Sequence, residues 1–154
     1  KFATHNARIE TVATKATWRE SFQRRRCAVP LSQFLEPIYE GEFAGNMVRF
    51  SEREGALLFA AGIWDTWRDR ASGEVIRSFA IITTEPSKFV ATTGHDRQPL
   101  FLEPGAMGQW LAGGSRETDE LLDVLRATAA SPEWTVAIER PMAKGWERRR
   151  KPRE

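Results

Sequence analysis

Apolar and polar positions along this chain change period several times, and each change marks out a short element. Trp18 and Phe22 lie one turn apart, and Thr17 and Glu20 have the Thr-x-x-Glu spacing of a capping box, which predicts a helix from Thr17 to about Arg26. Cys27-Ala28-Val29-Pro30 then reads as a short buried strand, and Phe34-Leu35-Glu36 as a second extended piece that meets Pro37. Met47 to Phe50 and Ala56 to Trp64 are joined by the polar turn Ser51 to Gly55, which predicts a hairpin. Ala56 to Ile63 is apolar throughout, as a central strand covered on both faces requires. The charged stretch Arg68 to Glu74 returns the chain into a strand from Val75 to Thr84, and Glu85-Pro86 leads on to a short segment ending at His95. Leu121, Leu122 and Leu125 sit at helical spacing within Ser115 to Ala129 behind the early acids Glu117, Asp119 and Glu120, the strongest helical pattern in the sequence. Trp134 to Ile138 supplies a final strand. The expected fold class is α+β: a mixed, mainly antiparallel sheet or partly open barrel flanked by short helices.

At 154 residues the chain is long enough to bury a core, and one domain is expected over 1–140 followed by a basic tail over 141–154. No apolar run approaches the ~18 residues of a membrane span, so no membrane partner is expected. The opening Lys1-Phe2-Ala3-Thr4-His5-Asn6 has no signal-peptide pattern, and the single Cys27 cannot form an internal disulfide, which points to a reducing, cytoplasmic setting; a monomer is expected. Net charge is only +2, but arginines cluster at Arg24-Arg25-Arg26 and again in the tail from Arg148 to Arg153.

The richest chemistry lies in Gly94-His95-Asp96-Arg97-Gln98-Pro99, where one of two histidines stands beside an acid and a base in a loop bounded by Gly and Pro. Glu36, after two apolar residues and before Pro37, is either a partly desolvated carboxylate suited to proton transfer or an exposed acid at a strand end. Asn6 and Arg8 share one side of an extended strand, where an amide can orient a substrate and a guanidinium hold a phosphate. Cys27 reads as a small buried hydrophobe; a thiol nucleophile activated by the preceding arginines is the remote alternative. Two histidines and one cysteine give no metal-ligand spacing, no Gly-rich nucleotide loop is present, and no cofactor is expected.

Five blocks in order resemble the SOS response-associated peptidase (SRAP) family. They are Asn6-Ala7-Arg8-Ile9-Glu10-Thr11; Arg25-Arg26-Cys27-Ala28-Val29-Pro30 with Phe34-Leu35-Glu36; Ala60-Ala61-Gly62-Ile63-Trp64-Asp65; Phe79-Ala80-Ile81-Ile82-Thr83-Thr84; and His95-Asp96-Arg97-Gln98-Pro99. The resemblance runs from Asn6 to about Gly113 and implies a domain that binds single-stranded DNA and reacts with abasic sites. In the family, the amine and thiol of an N-terminal cysteine close a thiazolidine on the opened sugar aldehyde, with self-cleavage of a leader and lyase activity alongside.

Carried over by position, the resemblance makes Asn6 a contact to the reacting centre, Glu36 the acid-base carboxylate and His95 the residue that orients or protonates the opened sugar. Arg8 falls near the DNA backbone. The sequence begins at Lys1, so the expectation is a domain lacking the family's opening segment and its cysteine; Cys27 cannot replace it, because its nitrogen is locked in a peptide bond. Pro37 stands where the family is usually aromatic, and Gln98 where an apolar residue is common. The other reading is a noncovalent module that holds single-stranded or damaged DNA through Arg8, Arg97 and the basic clusters.

Overall fold

The computed structural model describes residues 4–149. Its elements run β1 (Asn6–Arg8), α1 (Ile9–Val12), α2 (Arg19–Arg24), β2 (Arg26–Leu31), β3 (Gln33–Ile38), β4 (Asn46–Glu52), β5 (Leu58–Arg68), β6 (Val75–Thr84), α3 (Lys88–Thr92), β7 (Gln98–Pro99), α4 (Met107–Leu111), α5 (Thr118–Ala127) and β8 (Trp134–Pro141), with a 3-10 turn over Trp146–Arg149. This is the expected mixed α+β class, with two open sheets. The chain separates into two units, one from Lys1–Pro30, Phe59–Thr84 and Pro99–Ala130, the other from Leu31–Leu58, Glu85–Gln98 and Ser131–Glu154.

The first unit is built on a sheet of order β1-β6-β5-β2, with β7 pairing β6 off this path. Val75 to Thr84 does form the expected antiparallel partner of β5, from Gly62 opposite Ile81 to Arg68 opposite Val75. The connecting turn is held by the Asp69 carboxylate, which accepts from the Ala71 N–H (2.9 Å) and the Ser72 hydroxyl (3.1 Å). β1 lies parallel to β6 with Asn6 opposite Ile81 and Arg8 opposite Thr83. Alternation buries Ala7, Ala61, Ile63, Ala80 and Ile82 on one face, where they pack with Phe22, Trp110, Leu121 and Leu125. The leucines of α5 thus face the core, as their spacing predicts.

Two local readings fail in this unit. The helix begins at Arg19 with Trp18 as its cap and ends at Arg24, and no side chain caps it. Glu20, the expected capping-box partner, is drawn instead to Arg25, whose Nη1 lies 2.9 Å from its carboxylate. The arginine cluster is also not a free basic surface. Arg25 bonds the Trp64 carbonyl and lies 3.4 Å from Asp65. Arg26 donates to the carbonyls of Phe22, Gln23, Trp110, Ala112 and Gly114, clamping the C-terminal ends of α2 and α4.

The second unit carries the antiparallel sheet β3-β4-β8. Here the predicted hairpin of β4 with β5 does not form. The turn exists: Glu52 accepts from the Glu54 and Ala56 N–H groups, both at 2.8 Å, and Gly55 has φ +75°. Both edges of β4 are already taken, however, by β3 and by β8, leaving no edge for β5. Nor does Pro37 end the second extended piece, because β3 is an edge strand, where a missing N–H is tolerated. Phe34 stacks on its register partner Phe50 at 4.7 Å and meets Trp134 edge-on at 5.2 Å; together with Ile38, Val48 and Val90 they fill this unit's interior. Of the expected tail, Met142 N–H bonds the Gly45 carbonyl and Trp146 packs near Tyr39, whereas Arg150 to Arg153 fall outside the described residues.

Candidate functional site

Strand alternation decides where Glu36 points. Phe34, Glu36 and Ile38 are two residues apart on β3, and the two apolar members are buried, so the carboxylate between them is held on the inward face. Its side chain keeps 24% exposure and its Oε2 lies 3.3 Å from His95 Nε2, the imidazole being 13% exposed. Two candidates far apart in sequence thus form one pair.

The loop that brings His95 there is specified residue by residue. Ser87 caps α3, its hydroxyl accepting from the Val90 N–H at 3.3 Å, while its own N–H donates to Gln98 Oε1 at 2.9 Å. Gln98 is 8% exposed, so its buried amide fastens the two ends of the loop together. α3 stops at Thr93, and Gly94 takes φ +91° to turn the chain toward Glu36. A Cβ at Gly94 would stand 2.2 Å from the Glu40 carbonyl oxygen, so only glycine fits.

Protonation follows from the partners. His95 Nδ1 lies 2.6 Å from the Arg97 carbonyl oxygen and 3.2 Å from the Arg97 nitrogen. An oxygen at the shorter distance can only accept, which assigns a proton to Nδ1. Nε2 then faces Glu36, and the imidazolium is the form that satisfies both acceptors. Burial works against that charge, but the Glu36 hydrogen bond and charge, the Arg97 carbonyl and the charge of Asp96 outweigh it, and the His95 pKa is raised above its ordinary value.

The other candidates are placed as follows. Asn6 and Arg8 both stand exposed on β1 of the first unit, on the opposite face from buried Ala7, as the extended reading requires. Arg97 is half-buried and meets His95 through its backbone. Cys27 is half-buried with its thiol pushed up by burial, the reverse of nucleophile activation, and its carbonyl accepts from Trp110 Nε1 at 2.9 Å. The sequence reading missed the supporting role of Gln98 and Ser87; the cap signature of Ser87 before an apolar turn was the available signal.

An α+β scaffold of two open sheets, with the Glu36 carboxylate 3.3 Å from the His95 imidazole beside the Gly94 turn, defines the fold and the candidate site. Its lineage is equally clear: the SOS response associated peptidase (SRAP) model matches residues 1–140, and the chain belongs to that family. The abasic site processing protein YobE of Bacillus subtilis is 28% identical over 120 residues, covering 78% of this chain and 54% of the relative. Abasic site processing protein HMCES of Xenopus tropicalis is 28% identical over 143 residues, covering 81% and 42%. The chain therefore spans about half the length of the curated relatives it matches. A crystal structure of a Bacteroides thetaiotaomicron protein superposes with a TM-score of 0.72 at 25% identity, over 89% of this chain and 59% of that one. No helix among the described residues is long and apolar enough to cross a membrane.

Proposed function

We propose that this chain carries the DNA-holding and proton-transfer part of an abasic-site processing protein acting on single-stranded DNA in the cytoplasm. The observation that carries the reading is the His95–Glu36 pair, 3.3 Å apart on a loop built to keep it so. Condensation of an amine with the open sugar aldehyde gives a carbinolamine, and loss of its hydroxyl as water requires a proton. An imidazolium whose charge is sustained by a carboxylate is a suitable donor near neutral pH. Glu36 takes up the proton released when the attacking amine becomes neutral. A neighbouring thiol adding to the imine carbon then closes the ring, so the whole sequence releases one water. The nucleophile is the N-terminal cysteine of the family pattern and not Cys27, whose nitrogen is an amide. Asn6 orients the sugar and Arg8 and Arg97 engage phosphates without reading sequence.

The test is a denaturing gel of the protein as its own host makes it, mixed with a single strand containing an aldehydic abasic site. A covalent species is expected, forming more slowly by roughly 10²- to 10⁴-fold in Glu36→Gln and His95→Ala. Equal rates in all three proteins overturn the role of the pair. The exposed Arg8 beside Asn6 on β1 favours a second reading in which this chain binds DNA without covalent chemistry. Salt-sensitive binding with no covalent product is its mark.

A further inference from the structure

The register of the five-stranded sheet assigns a second use to the face that carries Asn6 and Arg8. Residues opposite one another in adjacent strands project to the same side. Asn6, Ile81 and Gly62 are therefore on one face, and stepping by two along each strand adds Phe79 and Arg77 on β6 and Trp64, Thr66 and Arg68 on β5. The opposite face is the core, marked by Ala7, Ala61, Ile63, Ala80 and Ile82. Trp64 and Phe79 are register partners, and they remain 39% and 57% exposed, an unusual state for two large aromatics side by side.

Three features say what covers them. Beside the pair, Cys27, Val29 and Pro30 complete an open apolar cleft of about 330 Å³ with Arg77 at its rim, the size and chemistry of a seat for a flat ring. Next, this face of β1, β5 and β6 carries three guanidinium groups, Arg8, Arg68 and Arg77, and no carboxylate; the nearest strand acid, Asp65, points to the other face toward Ser21. Finally, strand spacing puts the Phe79 backbone only about 8 Å from that of Asn6. Aromatic faces flanked by cations of one sign match a polyanion that carries stacked bases.

We propose that Trp64 and Phe79 form a stacking platform for bases of a single strand next to the nucleotide held by Asn6, with its backbone crossing Arg77 and Arg8. This rests on the reading of the chain as a single-stranded DNA protein and adds to it how undamaged flanking nucleotides are gripped. Stacking on aromatic faces is tolerant of sequence, so the platform serves any flanking base.

The experiment is fluorescence anisotropy of a labelled, undamaged oligo(dT) with the full chain. Trp64→Ala and Phe79→Ala are each expected to weaken binding by roughly five- to 150-fold. The variants Trp64→Phe and Phe79→Trp retain most of the affinity, because they retain a ring. Trp67→Ala serves as the control, since Trp67 is exposed on the opposite face of the same hairpin; its binding stays at the wild-type level. Circular dichroism of each variant matches wild type. If the alanine variants bind like a salt-sensitive wild type, the platform is wrong and the processing reading is untouched. Equal loss in Trp67→Ala also overturns it, as does a wild-type dimer that Phe79→Ala dissociates, which would make the face a contact between copies. Absence of any binding by wild type overturns the platform, and the processing reading is then decided by the crosslinking gel.

Discussion

Replacing Gly94 by alanine tests whether the His95 turn is as tightly specified as its geometry says. Two costs act together. At φ +91° an L-residue carries a penalty of about 1–2 kcal/mol. The new Cβ starts 2.2 Å from the Glu40 carbonyl oxygen and 3.3 Å from Ile38 Cγ2, so backbone must shift by roughly 1 Å, an overpacking cost of about 1–3 kcal/mol. The sum, about 2–5 kcal/mol, is a large part of the ~5–15 kcal/mol that holds a domain together and corresponds to a fall in Tm of roughly 5–20 °C. Gly94→Asn tolerates the left-handed conformation better but meets the same oxygen, and is expected to fall between alanine and wild type. The assay is thermal unfolding by circular dichroism, with Gly108→Ala as control. Gly108 lies in α4 with nothing near its missing Cβ, so alanine there stabilises by about 0.5–1 kcal/mol. A Gly94→Ala protein that melts within about 1 °C of wild type would refute the clash.

Three further outcomes follow from the same structure. Because the His95 pKa is raised by Glu36, the charged pair contributes stability in full below the unfolded histidine value of about 6.5, and the contribution is lost as pH rises through the higher folded value. The stability gap between wild type and Glu36→Gln is thus widest on the acid side of that window and narrows above it, and NMR titration of His95 in Glu36→Gln shows a lowered midpoint; an unchanged midpoint contradicts the pair. Gln98→Leu leaves the Ser87 N–H without its acceptor and costs about 1–3 kcal/mol by denaturant unfolding, even though leucine suits the buried position; a neutral result means that N–H finds another partner. Arg26→Lys cannot span the carbonyls of both α2 and α4 and loses about 1–3 kcal/mol, whereas Arg24→Lys, exposed, stays within about 0.5 kcal/mol; equal effects would return the cluster to the surface.

Elements whose partners are close in sequence were legible: β5 and β6 share one turn, and the α5 leucines announce their buried face by spacing alone. The errors share a cause, which is competition from distant residues. The turn after β4 carries every local sign of a hairpin, yet β8, some eighty positions downstream, takes the edge that β5 was expected to use. Glu20 satisfies the capping-box spacing but meets a guanidinium first, and the triple arginine looks like a surface patch until α4 brings its carbonyls to Arg26. At the candidate site, period two along β3 puts Glu36 with Phe34 and Ile38, but nothing in its spacing from His95 announces their contact. Gly94, Ser87 and Gln98 create that contact, and of these only the glycine and the departure at Gln98 stood out in the sequence.

The parallel pairing of β1 with β6 also sets an order of events during synthesis. Asn6, Ala7 and Arg8 leave the ribosome well ahead of the strand they pair with, which ends at Thr84. At about 5–20 residues per second, the nascent β1 spends several seconds with no template, and its closure is a long-range step. Nascent chains stalled before Val75 should therefore show Ala7 exchanging its amide proton freely, and chains stalled well past Thr84 should protect it. The strand that presents Asn6 and Arg8 is made long before its template and docks only after it, so an unfinished translation product holds the candidate DNA contacts without the frame that aligns them.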